Sequence, residues 1–270
     1  MRRSKVVIGI FVALVLIVLT IVLLACTVFV VRDISVESKL SSRLIDEGNI
    51  IESSDISKGE SIISINKEKI KANIEKSNPY VEVTNITREF PSKVIIEVTI
   101  RTGIMLVRSE DEVSAAVIDS EMKVLNVVSL VDQADLGVTT VKGLTFKIPE
   151  GGVLAAVGAT AEFTNASCGL MLRDIATAAA DPSLDLSGTS FLTFFKEISF
   201  AAGEGIKAYI KTNKGVTLVL DSTLKSTVFE QLYKCMAVFA WDKQADLTRG
   251  YITLNSDQGE IAFKWVESLD

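Results

Sequence analysis

Val6 to Val31 is a run of 26 residues without a charged side chain, and it constrains this chain more than any other feature. As a helix rising about 1.5 Å per residue it measures roughly 39 Å, against a bilayer hydrocarbon thickness of ~30 Å. Arg2, Arg3 and Lys5 precede the run, whereas Arg32-Asp33 follows it without net charge. Cationic flanks stay cytoplasmic, so the pattern predicts a single transmembrane helix from Val6 to Val31, with residues 1–5 inside and the remainder outside. A cleaved signal peptide has an apolar core of only ~7–15 residues. Leu23-Leu24-Ala25-Cys26 loosely fits a lipoprotein signal, but the apolar run continues through Thr27 to Val31, where a mature lipoprotein begins a polar tether. The anchor reading is preferred to both.

What lies beyond the run is acidic. The chain carries 28 Lys and Arg against 34 Asp and Glu, and the whole deficit falls after residue 31, where 25 basic residues face 34 acidic ones. That balance argues against a general nucleic-acid binder, which needs a basic face for phosphates. No histidine is present, which removes Ser-His-Asp and Cys-His nucleophile systems and any His-ligated metal. Three cysteines cannot fill a four-thiolate zinc site. Cys168 and Cys235 read as isolated buried thiols, although an oxidising compartment permits them to pair.

Residues 34 to about 103 read as a compact β-α-α-β-β unit. Ile34 and Val36 alternate with polar neighbours, and a weak helix is expected over Ser41 to Ile50, ending near Gly48. Asn66 is a plausible N-cap for Lys67 to Ser77, where Ile70 and Ile74 form an i, i+4 pair, and Pro79 stops the helix. Strands follow over Val81 to Arg88 and Lys93 to Arg101, the second with Val94, Ile96 and Val98 on one face.

From Ile104 the chain is strand-rich. Strands are expected at Ile104 to Arg108, Val113 to Ile118, Phe191 to Phe200, Gly205 to Thr212 and Gly215 to Leu220. Phe163 to Ala180 and Thr223 to Ala240 read as helices, the latter with Leu224, Val228, Leu232, Cys235 and Phe239 on one face. Arg249 to Asn255 and Glu260 to Trp265 close the chain as a hairpin.

Catalytic chemistry finds little support. Gly203 to Ala208 fits a G-x-G-x-x-A string, but a strand pattern follows it where a dinucleotide site needs a helix. Asp181, Asp185 and Asp221 read as scattered surface acids. A histidine-free carbohydrate hydrolase needs two carboxylates roughly 5–9 Å apart across one cleft, and no pair at diagnostic spacing appears. A secretion or transport component with a membrane barrel needs repeated lipid-facing alternation that the distal strands lack. The chain reads as a non-enzyme with no cofactor and no small-molecule substrate.

Several stretches resemble one family. Gly59 to Asn66 (GESIISIN), Asn78 to Val81 (NPYV) and Ile86 to Val98 (ITREFPSKVIIEV) look like a POTRA domain, and more specifically that of the FtsQ/DivIB bacterial cell-division family. Val117 to Leu125 is similar to that family's strand-turn-strand, with Met122 where glycine is usual, so a different turn type is expected there. Val141 to Leu144 resembles its Ile-x-Gly-Leu segment.

The resemblance implies an α+β chain with a POTRA domain over 32–103 and a mixed β-domain with flanking helices over 104–270. It implies a scaffold of the division machinery at the cell membrane of the septum, helping to regulate septal peptidoglycan synthesis. FtsB/DivIC-like and FtsL-like proteins are the implied partners. Family members hold them with the last strand and the helix before the final hairpin, here Ser256 to Trp265, with Ser256, Ile261, Phe263, Lys264 and Trp265 as candidates. Phe263 and Trp265 are the aromatic anchors, on a strand that a partner strand can extend. Pro79, Tyr80 and Arg88 are candidates on the POTRA module.

Overall fold

The computed structural model describes residues 2–38, 45–130, 136–184, 191–241, 249–257 and 260–266. The chain divides into two compact units, Met1–Arg101 and Thr102–Asp270.

The first unit opens with helix α1 (Arg2–Thr27). Among the described residues, no helix is long and apolar enough to cross a membrane. The expected span from Val6 to Val31 is corrected accordingly, and its far end shows why. The helix stops at Thr27; Val30 then bridges Ser61, and Val31 is fully buried among Ile34, Ile62 and Val94. The last apolar residues of the run thus serve the core of a folded domain.

After α1 come β1 (Asp33–Ser38), α2 (Glu47–Ser53), α3 (Lys67–Ser77), β2 (Val81–Glu89) and β3 (Lys93–Ile100). The sheet order is β1-β3-β2, with β1 parallel and β2 antiparallel to β3. Val94, Ile96 and Val98 of β3 meet Ile34 of β1, Val83 and Ile86 of β2, and Ile70 and Ile74 of α3 in one core. Asn66 accepts the Lys69 N–H and so starts α3. Helix α2 begins later than its sequence suggests, because Asp46 accepts the Asn49 N–H and fixes the start at Glu47.

The second unit contains β4 (Met105–Ser109), β5 (Ser114–Ile118), β6 (Val124–Ser129), β7 (Thr139–Phe146), α4 (Ala166–Ala179), α5 (Phe191–Phe194), β8 (Phe195–Ala202), β9 (Ile206–Thr212), β10 (Thr217–Asp221), α6 (Val228–Trp241), β11 (Tyr251–Asp257) and β12 (Glu260–Val266). These strands make one nine-stranded sheet in the order β12-β11-β10-β9-β8-β7-β4-β5-β6. Helices α4 and α6 pack on it, burying Leu172, Ile175, Leu232 and Met236 against Ile198, Ile210, Leu218 and Ile252.

Two local departures from expectation, at Phe191–Phe194 and Met122, have simple causes. Phe191–Phe194 is a helical turn before β8, not strand. The Gly203–Gly205 segment is the turn between β8 and β9, so a strand follows the glycine string, as its sequence pattern indicates. Met122 adopts φ 65°, the left-handed conformation that glycine would take, with its side chain buried. Its turn is held by Asp119, whose carboxylate accepts the N–H groups of Glu121 and Lys123. Burial of a large apolar side chain offsets the ~1 kcal/mol backbone cost, so the turn type is retained.

Candidate partner-binding site

Strand β12 is the outermost strand at one end of the nine-stranded sheet. It pairs antiparallel with β11 over Tyr251↔Val266 to Asp257↔Glu260. Within that register Ser256 faces Ile261, Leu254 faces Phe263, Thr253 faces Lys264 and Ile252 faces Trp265. Directly paired positions share a sheet face. Ile252 is fully buried and Thr253 half-buried; Trp265 is in register with the first and Lys264 with the second.

The helix behind this hairpin is firmly placed. Thr227 and Glu230 form a capping box: the Thr227 hydroxyl accepts the Glu230 N–H, and the Glu230 carboxylate accepts the Thr227 N–H. One turn on, buried Gln231 accepts the Asp221 N–H at 2.9 Å and donates to the Asp221 carbonyl at 2.9 Å. Its carboxamide completes the end of β10 as a neighbouring strand would. Cys235 is fully buried on the same helix, and loss of solvent pushes its thiol up to about 12. Cys168 is also buried and free.

The opposite end of the sheet is closed. Lys123 bridges Thr160, the Val124 N–H donates to Ala159, and the Val124 carbonyl accepts from Gly158. A register shift interrupts β6 after Val124, and Asn126 uses its own side chain to accept the Val127 N–H.

In the first unit, Pro79 and Tyr80 stand half-buried just before β2, and Arg88 stands near its far end. They do not form one cluster. Arg88 donates to the Ile65 carbonyl and so pins the end of β2 to the start of α3. The Tyr80 carbonyl accepts the Arg101 N–H at 2.8 Å.

That last contact belongs to a network which sequence reasoning passed over. The Arg101 guanidinium is 5% exposed and lies 3.5 Å from Glu75 and 3.9 Å from Glu82. Glu75, 10% exposed, also accepts the Val83 N–H and meets Lys71 at 3.6 Å. Glu75 sits on the charged face of an alternating-charge helix, which in sequence looks fully solvated. Among the acids considered for chemistry, Asp181 is tied to Ser183, and Asp221 to Thr223 and Lys207. Ser183 hydrogen bonds hold Asp181 below the usual carboxylate value. Asp185 lies outside the described residues. No cluster of metal-ligating side chains occurs among the described residues.

Residues 30–100 match the family model of the POTRA domain, FtsQ-type. The chain carries an FtsQ-type POTRA domain. This match supports the FtsQ/DivIB assignment drawn from the Asn78 to Val81 and Ile86 to Val98 motifs, and it indicates a cell-division POTRA protein. Proteins of this type are generally non-enzymatic, act through protein–protein interactions in division and are typically membrane-associated at the septum. No curated protein matches the chain.

Proposed function

We propose that this protein is a scaffold of the bacterial division machinery at the septal membrane. It binds FtsB/DivIC-like and FtsL-like partners and helps regulate septal peptidoglycan synthesis without catalysing a reaction itself. The observation that carries this reading is the position of β12 as the outer strand of a nine-stranded sheet. A partner strand laid along β12 gains main-chain hydrogen bonds for affinity, and side-chain pockets set specificity. Ser256, Ile261, Phe263, Lys264 and Trp265 are the contacts in this reading. Pro79, Tyr80 and Arg88 at the two ends of β2 are assigned to a second surface on the POTRA domain, with Arg88 acting through the fold.

The test is recovery of the FtsB/DivIC-like partner on immobilised full-length protein. Lys264→Glu tests the outer register, and Phe263→Asp and Trp265→Asp test the aromatic positions. Loss of recovery at Lys264→Glu with an unchanged circular dichroism spectrum is expected. Undiminished recovery by all three variants, each folded, would remove β12 from consideration.

A further inference from the structure

The C-terminal hairpin is more completely paired within itself than to the sheet it extends. Strands β11 and β12 pair over seven positions, from Tyr251 to Asp257 against Val266 to Glu260. Strand β10 pairs with β9 over five positions, Thr217 to Asp221. Among the described residues the β10–β11 ladder has two, Thr217↔Tyr251 and Leu218↔Ile252, extended by the Thr217 N–H to the Gly250 carbonyl. It is also parallel, the slightly weaker pairing per residue.

Nor does β10 depend on the hairpin to satisfy its far end. Both backbone groups of Asp221 are taken by Gln231, and the same carboxamide donates to the Ser226 carbonyl. The junction of β10 and α6 is therefore complete whether or not β11 is seated. Among the residues whose side chains are described, buried Ile252 and half-buried Leu254 hold the hairpin from its inner side, and both of its strands touch α6.

We infer that the hairpin over Tyr251–Asp257 and Glu260–Val266 docks on β10 and leaves it as one unit, without unfolding the rest of the sheet. Cooperative units of this kind coincide with supersecondary motifs that have many internal and few external bonds. Docked, β12 is the outer strand of a nine-stranded sheet; undocked, the sheet ends at β10. Hairpin docking is thus a switch that decides which strand edge the protein offers. Its consequence for partners rests on the proposed role of β12, whereas the opening itself does not.

Native-state hydrogen exchange of the full-length protein, without any partner, tests the opening. Amides of the hairpin should exchange as a group, with protection at least about tenfold below that of β9 and β10. Ile198→Val on β8 separates the alternatives, because Ile198 is buried two strands away from β10, the hairpin's seat. This mild truncation should lower protection in β9 and β10 by roughly twofold to tenfold. Hairpin protection should stay unchanged, because docked and undocked forms lose the same contacts. Equal protection of hairpin and β9 in the unaltered protein would overturn the inference, as would an equal fall in both on Ile198→Val. Failure here leaves strand addition at β12 standing, and failure of partner recovery leaves hairpin opening standing.

Discussion

Replacing Arg101 by Met removes the guanidinium from the buried network of the POTRA domain and keeps an apolar stem of similar length. Glu75 is then left nine-tenths buried, still accepting the Val83 N–H and with the Lys71 ammonium 3.6 Å away. Breaking a buried ion pair at one partner costs about 3–5 kcal/mol, because the orphaned charge stays desolvated. Lys71 is half exposed and attracts Glu75 through screened solvent, which places the expected loss near the lower bound, about 3 kcal/mol. With a urea dependence of about 1 kcal/mol per molar for a unit this small, the unfolding midpoint should fall by about 3 M.

Urea titration with pulse proteolysis, mapped by mass to peptides within 30–101, reads this unit without relying on tryptophan, which occurs only at 241 and 265. The second perturbation is Glu75→Gln in the Arg101→Met background. Glutamine still accepts the Val83 N–H but carries no charge, so the double variant should recover about 1–2 kcal/mol over the single one. A midpoint shift below about 0.5 M for Arg101→Met, or no recovery in the double variant, would refute the buried-charge account.

Gly143 has φ 70°, and a Cβ there would lie 2.3 Å from the Phe200 carbonyl oxygen, so Gly143→Ala should cost the second unit at least about 2 kcal/mol in urea unfolding. Cys235, with its thiol pushed up to about 12, should resist iodoacetamide at pH 8 in the folded protein and react once it unfolds; labelling at the unfolded rate in both states would contradict its burial. Asp111 is held below the ordinary 3.8 first by the Ser109 hydroxyl and then by the Val113 N–H. Its folded value is depressed, so its contribution is present above about pH 4 and is lost as pH falls through the folded value; an NMR titration midpoint at or above 3.8 would contradict this. Thr227→Ala opens the capping box and should lower stability by about 1 kcal/mol, and Thr227→Ser should restore it.

Local rules made some elements legible and not others. Asn66, the Ile70/Ile74 pair and Pro79 bracket α3 as their chemistry dictates, and the alternation after Lys93 marks β3. Helix α6 starts at Val228 rather than Thr223, because the Thr227 and Glu230 capping box sets its first turn, whereas the apolar periodicity extends back to Leu224 and draws the eye too far upstream. The apolar run at the N-terminus hides its boundary for a similar reason. Val31 is as hydrophobic as its predecessors, and only tertiary packing against Ile62 and Val94 separates it from them. Phe263 and Trp265 were visible as alternating aromatics. Their place at the end of a nine-stranded sheet was not, because it depends on a parallel β10–β11 pairing made across helix α6.

The argument for β12 is strongest when the other sheet edges are compared with it. Strand β6 is strapped by Gly158 to Thr160 and interrupted by its register shift. Strand β2 has a register shift between Val83 and Asn85, and its Val83 N–H is already committed to Glu75. Strand β1 is six residues long and carries Asp33 and Glu37, and the chain just before it is covered where Val31 exchanges hydrogen bonds with Gly59 and Glu60. Short length, bulges, charge and covering segments are the devices by which sheets discourage pairing with other chains. By contrast β12 is seven residues long and mainly apolar, with Ile261, Ala262, Phe263, Trp265 and Val266, and it pairs with β11 without a register shift. An edge of that kind left at the end of a large sheet is an aggregation hazard unless something occupies it. The partner strand proposed along β12 would remove the hazard and make the same edge the source of specificity, which would account for blunting three edges and leaving this one regular.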